Sequence, residues 1–222
     1  MIFNILSVFR ELIKPSLKYG VLSKAIKRKK IKVNIFSYSD YLNDSDRMDD
    51  KQFGGEPGMV IKYKNASKAI NAIKKSNPGT KVIFLTPKGK RLDNNLAKKM
   101  SKMGNISIIC GRYEGFDERI IEQYADLEVS IGDYIVSGGE YPAVILMDSV
   151  SRMINGVVGN KDSVKNDSLN DSLLKHPVYT RPAKLKVGKV PKLLTTGNHK
   201  RIKEFNRQES ILSTLKRRED LL

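Results

Sequence analysis

Apolar residues return along this chain in two different periods, and the alternation between them outlines a fold. Compact runs of branched and aliphatic residues at 2–9, 31–37, 81–86, 106–110 and 127–131 predict strands. Between and after them, apolar positions spaced three or four apart predict helices over 16–29, 66–76, 94–103, 117–125 and 141–154. Strand and helix alternate, as in an α/β domain built on a mostly parallel sheet. Asn77-Pro78-Gly79 marks a turn from helix into strand. The pattern fails over 159–171, where Gly, Asn, Asp, Ser and Lys leave almost no apolar positions. A flexible linker at 159–172 is expected there, dividing an α/β domain of residues 1–158 from a basic, mainly helical domain of residues 173–222. Within the latter, 202–218 has helical periodicity with a basic face. No internal repeat is visible.

Charge narrows the class of partner. Among 222 residues, 41 Lys and Arg face 24 Asp and Glu, a net charge of +17. Such a surplus favours a polyanion, with nucleic acid first and a membrane surface or a merely solvated lysine-rich surface behind it. Residues 173–222 hold 13 basic and 4 acidic side chains, so the tail is the expected polyanion-facing region. One Cys and two His exclude a disulfide framework and argue against a dedicated zinc site. Cys110, at a strand end, reads as a small buried hydrophobe. The first nine residues lack a basic n-region and a cleavage site, so they read as a strand rather than a signal peptide. No apolar run reaches spanning length. A soluble, cytoplasmic protein is expected.

Two glycine-rich turns carry the chemistry. Gly111-Arg112-Tyr113-Glu114-Gly115 and the run from Ile131 to Glu140, which contains Gly132, Gly138 and Gly139, each follow a short apolar strand. Glycines at strand ends let backbone bend tightly and approach a ligand. Neither a G-x-G-x-x-G turn after a strand nor a G-x-x-x-x-G-K-[ST] loop is present, so a dinucleotide fold and a P-loop are unsupported.

These stretches resemble the bacterial tRNA (guanine-N1)-methyltransferases that act at tRNA position 37, members of the trefoil-knotted SPOUT superfamily. The resemblance begins at Tyr19-Gly20-Val21 and continues through Asp49-Asp50, Gly54-Gly55-Glu56-Pro57-Gly58-Met59 and the two glycine turns. Asp148-Ser149-Val150-Ser151-Arg152, Asp167-Ser168, His176-Pro177-Val178-Tyr179-Thr180-Arg181-Pro182 and Gly197-Asn198-His199 follow in the family's order. Two departures stand out: Glu56 replaces a family glycine, and the chain ends soon after Arg217-Arg218, where many relatives carry further helix.

The resemblance implies a deep C-terminal knot in the α/β domain that holds S-adenosylmethionine in a bent shape. Three cofactor loops follow from it: Leu85, Thr86 and Pro87; Gly111, Glu114 and Gly115; and Ile131, Gly132, Asp133, Tyr134, Ile135, Val136, Gly138 and Gly139. Glu114 either faces the cofactor's amino or sulfonium charge or is a solvated loop acid. Methylating guanine N1 requires removal of a proton and stabilisation of charge on O6. Asp167 suits the first role and Arg152 the second, with an exposed loop acid and a cation compensating the helix end staying open as their alternatives. RNA contacts are implied at Gly55, His176, Tyr179, Arg181, Lys200, Arg201, Arg217 and Arg218. For His176 and Tyr179 ordinary packing stays open, and for the basic residues a solvated helix face. The family also implies magnesium dependence, with no ligand cluster visible, tRNA rather than DNA as partner, no membrane, and a homodimer with composite active sites. Two other functions explain part of the pattern: a ribose 2′-O-methyltransferase of the same superfamily, and a non-catalytic RNA-binding protein.

Overall fold

Nine short strands and six α-helices form among the described residues, which in this computed structural model are 1–43, 45–159, 167–169 and 172–222. Most of the expected linker therefore lies outside the described residues. The chain separates into two units, Met1–Gly159 and Asn160–Leu222.

In the first unit the strands are β1 (Ile2–Ser7), β2 (Lys32–Ser37), β3 (Asp49–Lys51), β4 (Met59–Ile61), β5 (Lys81–Arg91), β6 (Asn105–Cys110) and β7 (Leu127–Ser130). Five form one sheet in the order β2-β1-β6-β5-β7. Every pairing within it is parallel, and β3 and β4 make a separate antiparallel hairpin. The helices are α1 (Gly20–Lys27), α2 (Tyr63–Ser76), α3 (Asn94–Met100), α4 (Glu118–Tyr124) and α5 (Glu140–Arg152).

Strand alternation sorts the core into two layers. Phe3, Ile5, Ile83, Leu85, Ile106, Ile108 and Val129 face α1, α3 and α5. Leu6, Val82, Phe84 and Ile109 face α2 and α4. Burial on both faces is what a parallel sheet requires, and it explains why the strands read as nearly continuous apolar runs. Polar positions on the second face are paired: the Asn34 side-chain amide donates to Asn4 at 2.8 Å, and that of Asn4 donates to Asn105 at 2.9 Å.

Several element boundaries differ from the sequence expectation, three of them for a visible reason. The strand expected over 2–9 stops at Ser7, whose hydroxyl turns inward to a carboxylate. The helix expected from residue 16 begins at Gly20, after a 3-10 turn at Lys14–Leu17 that carries Pro15. The strand expected to end at residue 86 runs on to Arg91 past Pro87, because residues 86–89 bulge out and the chain rejoins β7 at Lys90 and Arg91. A Cβ at Gly89 would collide with the Glu128–Val129 peptide, so only glycine lets the bulge close.

In the second unit a two-residue ribbon pairs β8 (Lys184–Leu185) with β9 (Gly188–Lys189). A 3-10 turn at Lys192–Thr195 leads into α6 (His199–Arg217). The Asn198 side chain caps α6 by accepting from the Arg201 N–H.

Candidate active site

The bulge within β5 and the loops that follow β6 and β7 together line a cavity of about 390 Å³. Its walls include Leu85 to Lys88 at the β5 bulge, Gly111 to Phe116 after β6, and Val129 to Gly132 with Tyr134 to Gly139 at the end of β7 and beyond it. The size falls within the range of ~300–1,000 Å³ usual for small-molecule sites, and its position at strand C-termini is where open α/β sheets bind ligands. Of the residues expected to hold a cofactor, all but Asp133 line this cavity. The Asp133 carboxylate is 90 % exposed and stands 3.9 Å from Arg91.

Two of the loops cross in contact. The Gly139 N–H donates to the Gly111 carbonyl at 2.9 Å. A Cβ at Gly139 would stand 2.6 Å from the Cys110 Cα, so this crossing admits no side chain. Next to it lies a buried charge that the sequence reading did not single out. Glu140, the first residue of α5, is 1 % exposed. Its carboxylate accepts from the Ser7 hydroxyl at 2.9 Å and the Phe9 N–H at 3.4 Å. Arg112 Nε stands 3.4 Å from its other oxygen, within ion-pair range although it makes no hydrogen bond. The Arg112 guanidinium also donates to the Ser137 carbonyl at 2.8 Å and lies over the Phe9 ring. One clasp therefore ties the end of β1, both glycine loops and the start of α5. Burial pushes the Cys110 thiol well above its ordinary value and the Glu140 charge adds to it, so Cys110 is an unreactive neutral thiol.

Cavity chemistry suits a ligand with an apolar ring and a cationic end. Tyr113, Tyr134 and Ile135 line the cavity yet stay exposed. Glu114 is an exposed wall carboxylate with no ion pair among the described residues, whereas Glu118 is held by Lys88 at 3.2 Å. The β3–β4 hairpin abuts this wall: the Glu114 N–H donates to the Met59 carbonyl at 2.9 Å, and Gly58 packs against the Glu114 side chain. Gly55 sits in the loop of that hairpin, beside Phe53, whose ring is 98 % exposed.

The remaining expected residues lie elsewhere. Arg152 is in the last turn of α5, twelve residues and therefore roughly 18 Å along the axis from Glu140. Asp167 belongs to the second unit, where its carboxylate is 3.9 Å from the Lys175 ammonium. His176 Nδ1 is 3.0 Å from the Pro177 carbonyl. Tyr179, Arg181, Lys200, Arg201 and Arg217 are exposed. Arg218 is engaged by Asp220 through two hydrogen bonds of 2.7 Å. Among the described residues no cluster of three His, Cys, Asp or Glu is placed to hold a metal ion, and no helix is long and apolar enough to cross a membrane.

Arg112 and Glu140 were visible only as members of the glycine runs. A Glu directly after Gly-Gly and before an apolar helix was the signal available, because a carboxylate at a helix N-terminus has electrostatic reason to be there.

Comparison with known proteins bears on this geometry. The model of the family described as tRNA (Guanine-1)-methyltransferase TrmD matches residues 1–222. A tRNA (guanine-N(1)-)-methyltransferase of Francisella tularensis subsp. holarctica is 43 % identical, over 100 % of this chain and 89 % of its own length. Its namesake from Hahella chejuensis is 43 % identical over 99 % and 86 %, and that from Caldicellulosiruptor saccharolyticus 42 % over 100 % and 90 %. The five-stranded parallel sheet flanked by helices is consistent with the knotted SPOUT fold of that family. With family, fold and cleft in agreement, this chain belongs to the tRNA (guanine-1)-methyltransferase family, and its activity is methyl transfer to guanine N1 in tRNA.

Proposed function

We propose that the cavity binds S-adenosylmethionine, that the methylated guanosine is at tRNA position 37 beside the anticodon, and that the modification supports reading-frame maintenance. The observation that carries this is the convergence of three separate segments, 85–87, 111–115 and, Asp133 apart, 131–139, on one cavity. S-adenosylmethionine supplies a methyl group activated on a sulfonium. The Ile131 to Val136 backbone reads the adenine edge, and Glu114, an open carboxylate on the wall, faces the positive end of the ligand. The first unit is thus the cofactor domain. The second is the tRNA-binding domain, joined to it by the 159–172 linker.

Catalysis divides between two charges. Asp167 takes the N1 proton of guanine as general base, a role typically worth ~10²–10⁴ in rate. Loss of that proton leaves negative charge growing on O6, which must be stabilised. The Arg152 guanidinium does that. Arg152 is a helix length from the cavity of its own chain, which favours a homodimer whose sites combine one protomer's cavity with its partner's Arg152 and Asp167. Tyr141 and Ile145, one turn apart and exposed on α5, suit such an interface. Gly55 and the exposed Phe53 face the target base and its neighbour, and His176, Tyr179, Arg181, Lys200, Arg201 and Arg217 contact the RNA. Lys200 and Arg201 crowd the positive end of α6, where cations are unfavourable without an anion.

The test is nucleoside analysis after incubating purified protein with tRNA and labelled S-adenosylmethionine. Label in 1-methylguanosine from position 37 is expected. Label on a ribose 2′-oxygen would assign the chain to the other branch of the superfamily, and tRNA binding without transfer would leave a binding protein.

A further inference from the structure

Residues 12–39 hold eight Lys or Arg and no Asp or Glu, whereas the other 131 residues of the first unit hold 18 basic and 17 acidic side chains. The surplus charge of that unit is thus concentrated in one segment. Lys14 is paired with Glu11. The other seven, Lys18, Lys24, Lys27, Arg28, Lys29, Lys30 and Lys32, are all exposed, and no described carboxylate lies within ion-pair distance of any of them.

The fold does not account for this crowding. Lys24, Lys27 and Arg28 fall at i, i+3 and i+4 around the end of α1, where like charges repel. The negative end of a helix dipole welcomes one or two cations, not a cluster. Lys29 adopts φ 55°, a left-handed conformation that glycine accepts more readily. The amino terminus adds another cation by donating to the Lys30 carbonyl at 3.2 Å. Such a surface is stabilised by an external polyanion.

Its place suggests which one. A Cβ on Gly156 would stand 3.2 Å from the Lys30 Cε, so Lys30 lies against the turn that follows Arg152. The basic surface therefore adjoins the end of α5 that carries the residue assigned to the target guanine. We infer that Lys27, Arg28, Lys29 and Lys30 form a second phosphate-binding surface, in the first unit, that grips the tRNA backbone near the nucleotide being methylated. The inference rests on the tRNA substrate of the preceding section. Backbone contacts of this kind set register and orientation, leaving base identity to other groups.

The experiment replaces all four by Gln and measures tRNA binding by filter retention without methyl donor across a salt series. Methyl-transfer kinetics and thermal unfolding are run alongside, and Lys64, Lys68, Lys98 and Lys99, exposed on α2 and α3, are replaced in a control protein. The expected result is a salt slope lower by at least about two units and a tRNA KM raised about tenfold, with kcat, cofactor affinity and the control unchanged. Acetylation of the wild-type protein with and without tRNA gives an independent reading, in which tRNA should shield Lys27, Lys29 and Lys30. An unchanged slope, an equal loss in the control, or absence of shielding overturns the inference. So does binding to anionic vesicles that is lost in the variant while tRNA binding persists. Failure of the substrate reading shows separately, as wild-type protein that makes no 1-methylguanosine.

Discussion

At the scale of single residues, Gly138 and Glu140 are coupled. A Cβ at Gly138 would stand 2.6 Å from both Arg112 Nε and Glu140 Oε2, wedged into the ion pair. Replacing Glu140 by Gln leaves Arg112 largely buried without its counter-charge, and about 3 kcal/mol of stability should be lost. Gly138→Ala should cost a similar amount by forcing the same pair apart. Because both act on one clasp, the double variant should lose clearly less than the sum, as measured by urea unfolding. Strict additivity would mean that the two positions act independently. Cofactor affinity should fall in both variants, since the clasp fixes the loops that form the cavity walls. The glycines of this region were legible because glycine has few reasons to recur at strand ends. The clasp was not, because Arg112, Glu140, Ser7 and Phe9 are brought together from separate parts of the chain, and periodicity carries no information about such a meeting.

At the scale of elements, the five parallel strands were readable because burial on both faces leaves an apolar run, and the helices because one face of each is apolar. The β5 bulge was hidden, since Pro87 and Gly89 signal a strand end when read locally. What anchors the other end of β5 is Asp126. Its carboxylate accepts from the Val82 N–H at 2.8 Å and from the Lys81 ammonium at 2.8 Å, while the Asp126 N–H donates to the Val82 carbonyl. Partial burial alone would raise this carboxyl, but the Lys81 charge and the Val82 N–H outweigh it and hold it below its ordinary value. A carboxyl lowered by folding contributes stability that is fully present above its unfolded pKa of about 4, and that is lost as pH falls through the lower folded value. Asp126→Asn should therefore cost about 1 kcal/mol at pH 7, after allowance for the exposure of the pair, and clearly less at pH 2. Chemical unfolding at both pH values checks this. An equal loss at pH 7 and pH 2 would show that packing, not charge, is what the variant removes.

At the scale of the whole molecule, the two units differ in how they are held. The first has two apolar layers around its sheet. In the second, Thr214 is the one buried residue among those described, accepting from the Leu174 N–H at 2.9 Å. A unit with so little core gains most from burial against partners. On the proposed function, RNA supplies one and a second protomer the other. That proposal makes a quantitative prediction. Asp167→Asn retains a complete cavity but no base. Thr86→Trp fills the cavity from the β5 bulge, keeps Asp167 and leaves the Glu140 clasp untouched. Each protein alone should be inactive. If base and cavity come from different protomers, every mixed dimer has one site with both functional parts and one with neither. Random exchange makes half of the dimers mixed, so about a quarter of wild-type activity should return from two inactive parents. Native mass spectrometry verifies the exchange. Complete exchange without recovered activity would place Asp167 in its own protomer's site, or outside the chemistry altogether.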